Sequence, residues 1–348
     1  MAKRKLSKRQ QWRIKKIQAE RSERAHRKER DIDRQLQAGA LGDEQKGLVI
    51  AHFGQQLDVE ALEGEHQGEL FRCHVRANID GLVTGDKVIW RVGAGREGVI
   101  VAREERRSEL RRPDNFGNLK PVAANIDQIL LVIAPEPEPH ANLIDRYLVA
   151  AEVTEIPPIL VLNKADLLTG TNRPAIDQLL ERYRSLGYQT LETSIHDDAL
   201  DQAFREHLRE RTSVFVGQSG VGKSSLIQAL LPHESLKVGA LSEGQRKGTH
   251  TTTTARLFHL PGSGQLIDSP GIREFGLWHI TPEQLAYGFV DIRPLIGHCK
   301  FRNCSHRGDP GCALDAAVES GELAPERLES FRRILQDIEA QQARGLTL

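Results

Sequence analysis

The order of two short motifs constrains this 348-residue chain more than any other feature. Residues 217–225, GQSGVGKSS, match the phosphate-loop pattern G-x-x-x-x-G-K-[ST], with the apolar run SVFV before them and the helical run SSLIQALL overlapping their end. Glycines let the backbone N–H groups turn inward on phosphates, and the start of the following helix favours negative charge. Gly217, Gln218, Ser219, Gly220, Val221, Gly222 and Ser225 would form the cradle. Lys223 would reach the β- and γ-phosphates, and Ser224 would ligate Mg²⁺. Residues 163–166, NKAD, end a second apolar run and suit a guanine base. The Asp166 carboxylate would accept from guanine N1–H and the 2-amino group; adenine offers neither donor and would leave a desolvated charge unpaired. Asn163 would brace this loop, and the stem of Lys164 would pack along the base. In an ordinary GTPase the phosphate loop comes first, whereas here the base is read first.

The remaining elements keep that rotated order. ETSI at 192–195 follows a helix and a strand, and its backbone at Ser194 and Ile195 would meet the guanine oxygen. After the phosphate loop, RKGTHTTTTARLF carries four consecutive threonines; Thr252 is the expected Mg²⁺ ligand, with neighbours Thr251 and Thr253 as alternatives. IDSPG at 267–271 then brings Asp268 to a strand end, to hold Mg²⁺ through water, and offers the Gly271 N–H to the γ-phosphate. The whole set is a circular permutation, which an α/β domain tolerates because its termini often lie close together. One consequence follows. The segment after Gly271 runs into whatever lies C-terminal to it, so a C-terminal domain must anchor it.

Around this core the text changes character three times. Residues 1–30 hold 13 Lys/Arg against 3 Glu, although the whole chain is neutral at 48 of each sign. This basic arm, 1–44, is expected to be disordered or a helix that orders on a polyanion, RNA first; a solvated tail without a partner is the plain alternative. Short alternating runs over 45–112 suggest a small antiparallel barrel, with the OB-fold one candidate. Apolar runs alternating with helical patterns over 113–279 read as an α/β sheet covered on both faces. Residues 280–348 turn helical around Cys299, Cys304, His306 and Cys312, a C-x4-C-x-H-x5-C set that suits a closed tetrahedral Zn²⁺ site. A reduced, metal-free loop is the alternative reading. Cys73 stands apart and reads as a small buried apolar residue. No signal-peptide core and no run long enough to span a membrane is present, so a cytoplasmic protein is expected.

In this combination the motifs NKAD, GQSGVGKSS, HTTT, DSPGIREFGLW and the cysteine cluster resemble the circularly permuted GTPases of small ribosomal subunit biogenesis, the RsgA family. The resemblance covers nearly the whole chain. It implies an N-terminal OB-fold, a permuted GTPase domain and a C-terminal zinc domain with one structural Zn²⁺. It also implies that the protein binds GTP with Mg²⁺ and acts late in maturation of the small subunit, which stimulates hydrolysis. The expected partner is that subunit with its rRNA, bound by a monomer. Many GTPases place a water-orienting Gln directly after the D-x-x-G element, and here that position is Ile272, so hydrolysis by the protein alone should be slow. His250, beside the threonines, is the candidate to position water, against the plainer reading of an exposed loop histidine. A GTP-regulated RNA-binding scaffold, in which hydrolysis is incidental, is the competing class; a permuted GTPase acting on the large subunit or another RNA is a third.

Overall fold

A computed structural model describes residues 41–53, 56–76, 78–113, 118–231, 255–268 and 280–343. Expectations for the basic arm before residue 41, for the threonine segment and for Gly271 lie outside these residues. The described chain forms two compact units, residues up to 82 with 87–105, and 83–86 with 106 onward.

The first unit is a closed barrel. Its strands are β1 (Glu44–Phe53), β2 (Gln56–Ala61), β3 (Leu70–Val75), β4 (Lys87–Val92) and β5 (Glu97–Arg103). β1 pairs with β2, β2 with β3, β4 with β5 and β1 with β4, all antiparallel, while β3 and β5 pair in parallel. This ring is of the OB type, and closure removes exposed strand edges. Alternation sets its inside: Leu57, Val59 and Ala61 of β2 are buried while their neighbours are only partly covered. Val49, Phe71, Cys73, Val88, Trp90 and Ile100 complete the core. Cys73 is fully buried, and desolvation, helped by the charge of Asp58, pushes its thiol up to about 12. It packs as the small apolar residue its isolation suggested.

The second unit is built on a mostly parallel sheet. Its strands are β8 (Gln128–Ile133), β9 (Pro158–Leu162), β10 (Gln189–Glu192), β11 (Thr212–Val216), β12 (Arg256–His259) and β13 (Gln265–Asp268), after a hairpin of β6 (Glu109–Pro113) and β7 (Leu119–Ala124). The order is β10-β9-β8-β11-β13-β12, parallel except for β12. Every residue of β8 and β11 is buried, as strands covered on both faces require. The helices are α1 (Ala141–Thr154), α2 (Arg173–Ser185), α3 (Asp198–Leu208) and α4 (Lys223–Leu230), followed by α5 (Pro282–Gly288), α6 (Ala313–Glu319) and α7 (Pro325–Ala343). The core joins Leu130, Val161 and Phe215 of the sheet to Phe204, Leu226 and Ile227 of the helices.

Helices α5 and α7 pack on α1, an element of the sheet's own cover. The seam contains a buried ion cluster. Arg327 of α7 pairs with Asp145 of α1 and, at 2.8 Å, with both oxygens of Asp291; its guanidinium lies 4.4 Å from the Phe289 ring. Tyr183 adds a 2.8 Å hydrogen bond to Asp145. Around it, Arg293 reaches Glu152 at 2.9 Å and Asn142 donates to Ser330 at 3.0 Å. A buried charge survives in such a seam only when paired and hydrogen-bonded, and here each one is.

Candidate nucleotide site and metal centre

Five parallel strands deliver their carboxyl ends to one edge of the sheet, where α/β folds bind ligands. NKAD follows β9, ETSI follows β10, GQSGVGKSS follows β11, and Asp268 ends β13. The permutation therefore leaves the spatial order of the motifs intact.

The phosphate loop needs glycine at two points for steric reasons. Gly217 has φ of +134°, and a Cβ there would sit 2.3 Å from the Val132 carbonyl oxygen. Gly222, at φ +91°, would place a Cβ 2.4 Å from Asn163 Nδ2. Lys223 is buried inside the bend, donating at 2.6 Å to the carbonyls of both Gly217 and Gln218. Lys223 and Ser224 open α4, so the loop runs directly into the start of that helix, an end that favours negative charge. Asp268 is buried at the end of β13, the strand beside β11.

The base-reading loop is fastened directly to this cradle. Asn163 Nδ2 donates to the Val221 carbonyl at 2.9 Å, and Lys164 Nζ donates to the Gly220 and Glu136 carbonyls at 2.8 Å each. Lys164 takes a left-handed conformation, φ +58°, which turns the chain so that Asp166 projects outward. The Ser194 hydroxyl donates to the Asp166 carboxylate and accepts from the His196 N–H at 3.1 Å. The Ala165 N–H donates to the Thr193 carbonyl at 3.2 Å, so the two base loops hold one another. Ser194 is wholly buried and Ile195 is exposed. The structure thus brings Asn163, Lys164, Asp166, Ser194 and Ile195 to the cradle of Gly217–Ser225. Thr252, Gly271 and His250 fall outside the described residues.

Two contributions escaped the sequence reading. The Ser194 side chain, and not only its backbone, belongs to the site; a Ser beside the base loop was the available signal. Glu136 and Pro137 lie after β8, where no motif marks them, yet the Glu136 carbonyl anchors Lys164. Pro137 with Leu143, Ile144 and Tyr147 lines an apolar hollow that Gln218 and Val221 border from the phosphate loop.

In the C-terminal segment, the ligand atoms of Cys299, Cys304, His306 and Cys312 lie within 4.8 Å of one another. His306 Nδ1 is 3.5 Å from Cys299 Sγ, 3.7 Å from Cys304 Sγ and 3.6 Å from Cys312 Sγ. A tetrahedron with Zn–S near 2.3 Å and Zn–N near 2.05 Å has N···S edges of about 3.6 Å, so the donor set fits zinc. The Ala313 N–H points at Cys299 Sγ at 3.3 Å, and Arg332 donates to the His306 carbonyl at 2.6 Å. Such outer contacts orient ligands. Four protein donors leave no open position, which describes a structural and not a catalytic centre.

An OB-type barrel, a permuted P-loop sheet whose guanine and phosphate loops are interlocked, and a Cys3His cluster define a class: the circularly permuted GTPases. Comparison with known proteins agrees. The RsgA GTPase family profile matches residues 103–278. The chain is 67% identical over 350 residues to the small ribosomal subunit biogenesis GTPase RsgA of Marinobacter nauticus, covering 100% of both chains. It is 62% identical to the protein of that name in Hahella chejuensis, covering 98% of both. Among solved structures it is similar to YloQ, a circularly permuted GTPase, at 30% identity and TM-score 0.67, covering 86% of this chain and 96% of that one. It is also similar to YjeQ from Thermotoga maritima, at 30% identity and TM-score 0.68, covering 85% and 98%. The chain belongs to the RsgA GTPase family and is a GTP hydrolase.

Proposed function

We propose that this chain is a timed release factor in late maturation of the small ribosomal subunit. The observation that carries the nucleotide half is the interlock of Asn163, Lys164 and Ser194, which holds Asp166 ready for guanine while clamping the phosphate cradle. The names borne by its full-length relatives carry the partner half.

In this reading Lys223 leaves its two carbonyls for the β- and γ-phosphates, and the loop's N–H groups replace the water they displace. Ser224, Thr252 and Asp268, the last through water, would hold Mg²⁺, which would supply charge neutralisation for the phosphates. The Gly271 N–H meets the γ-phosphate, and the threonine segment orders around it. His250 orients the attacking water, because Ile272 can neither donate nor accept. The barrel and the zinc-bound segment dock on the subunit and its rRNA, with the basic arm beside them. Docking completes the catalytic arrangement, and hydrolysis releases the two switches and then the factor. The protein works as a monomer and in the cytoplasm; among the described residues no helix is long and apolar enough to cross a membrane.

Initial rates with GTP and ATP, alone and with isolated small or large subunits, test this. Turnover on the order of 10⁻⁴ to 10⁻² per second alone, specific for GTP and raised many-fold only by small subunits, is expected. A slow rate that neither subunit changes favours the scaffold reading, which Ile272 supports. His250→Ala with unchanged stimulated turnover and unchanged GTP affinity would remove His250 from the mechanism.

A further inference from the structure

Three aromatic side chains are prominent among the exposed large apolar residues: Phe53 at 43%, Tyr287 at 47% and Phe301 at 49%. Two of them already have a ring face in use. Arg72 lies over Phe53 at 4.9 Å and is fixed by a 2.6 Å pair with Asp58. Arg293 lies over Tyr287 at 4.0 Å and is fixed by Glu152 at 2.9 Å. Phe301 is different. Its nearest cation is the tip of Lys300, 5.5 Å from the ring centre and, among the described residues, without a carboxylate partner. Arg302 beside it is exposed and likewise has no ion pair among the described residues. Among the described residues most other arginines are ion-paired.

The loop that carries Phe301 is stiff by construction. Cys299 and Cys304 close it at both ends in the metal cluster, the Cys304 N–H donates to the Phe301 carbonyl at 3.2 Å, and the Lys300 N–H to the Gly311 carbonyl at 3.0 Å. Residues 298–312, HCKFRNCSHRGDPGC, contain three Lys/Arg against one acid, Asp309, which accepts from Ser305 and the Arg307 N–H; Arg307 is paired with Glu339, which leaves Lys300 and Arg302 as the outward cations. An aromatic ring presented on a rigid cationic knuckle loses little entropy when a planar, anion-linked group stacks on it. Single-stranded nucleic acid supplies both the plane and the phosphates.

We propose that Phe301 is a base-stacking platform: it receives an unpaired RNA base while Lys300 and Arg302 hold the flanking phosphates. This rests on the reading of the small subunit as partner and adds a recognition mode to it, because phosphate contacts alone carry no preference for unstacked RNA.

The test is equilibrium binding of the full-length chain, with a non-hydrolysable GTP analogue, to isolated small subunits and separately to single-stranded dodecameric oligoadenylate, across a KCl series. Phe301→Ala should weaken both by roughly 5- to 150-fold, the size of one base–aromatic stack, with an unchanged salt slope. Phe301→Tyr should bind within about twofold of the parent, since it keeps the ring. Phe301→Leu should bind as poorly as Ala. Lys300→Gln and Arg302→Gln should each lower the salt slope by about 0.7–1. Metal content of each variant, expected to be unchanged, shows that the knuckle is intact. Phe301→Ala with parental affinity overturns the proposal. So does Phe301→Leu matching Tyr on the subunit, which would mark an apolar contact with a protein. If the parent fails to bind subunits yet Phe301 still governs oligoadenylate binding, the partner reading fails and the stacking assignment stands.

Discussion

Asp166 owes its geometry to a neighbouring side chain. Its carboxylate is held by the Ser194 hydroxyl, itself buried and anchored by the His196 N–H. In the proposed function guanine would meet an acceptor already held in place, without first ordering a loose side chain. Removing the brace should cost affinity and leave the chemistry untouched. Ser194→Ala is expected to raise the Kd for GTP roughly tenfold, with kcat at saturating GTP changed less than twofold, in titration and steady-state assays. Asp166→Asn exchanges one of two acceptors for a donor, so GTP affinity should fall roughly tenfold to a hundredfold while a base carrying a 2-oxo group gains. Competition between GTP and xanthosine triphosphate decides it, and equal losses for both would show that Asp166 only shapes the loop. At this scale the sequence was legible wherever a motif has fixed spacing: the glycines of 217–222, Lys223, NKAD and the four metal donors. Ser194's hydroxyl was not, because its use depends on two loops meeting 28 residues apart. The Glu136 carbonyl was not either, since a backbone acceptor has no letter in a sequence.

Among elements, α1 occupies the pivotal position. Its N-terminal residues Leu143, Ile144 and Tyr147 line the hollow beside the phosphate loop, and its Asp145 is paired with Arg327 of α7. Five residues further along α7, Arg332 holds the carbonyl of His306, one of the four candidate metal donors. One helix pair thus joins the two chemical sites. Sequence periodicity made both helices visible, but the seam between them was invisible, because Asp145 and Arg327 lie 182 positions apart and each looks like an ordinary surface charge. Only burial gives the pair meaning. Arg327→Met leaves Asp145 and Asp291 facing apolar surroundings with no cation, and should destabilise the second unit by about 3–5 kcal/mol. Adding Asp145→Asn should recover part of that loss, as chemical denaturation of the double and single variants would show. Additive losses would mean the pair does not act as a unit.

For the molecule as a whole, the rotated motif order has a mechanical consequence. The strand that ends in Asp268 leads toward α5, α6 and α7; α5 and α7 pack on α1, and α6 on α7, instead of returning to the sheet. The Cys3His donor set gathers the loop between α5 and α6, and Arg332 ties that loop to α7. Stripping the metal should therefore be felt by the nucleotide site, although no donor of the cluster touches it. Without metal, the three thiols and His306 lose their common partner, the knuckle loosens, and α7 loses one of its several attachments. A loss of roughly 2–3 kcal/mol in a unit of this size lowers Tm by about 5–10 °C. Chelator-treated protein, or Cys304→Ser, is expected to show that fall together with weaker GTP binding, so that added GTP restores less thermal stability than it gives the parent. Calorimetry of both proteins with and without Mg·GTP separates the alternatives. If chelation leaves the nucleotide-stabilised transition in place and melts only a small separate one, α5–α7 form an independent attachment. A single lowered transition means that metal, seam and nucleotide loops fold as one cooperative body, as a chain whose last switch leads into its metal-binding segment requires.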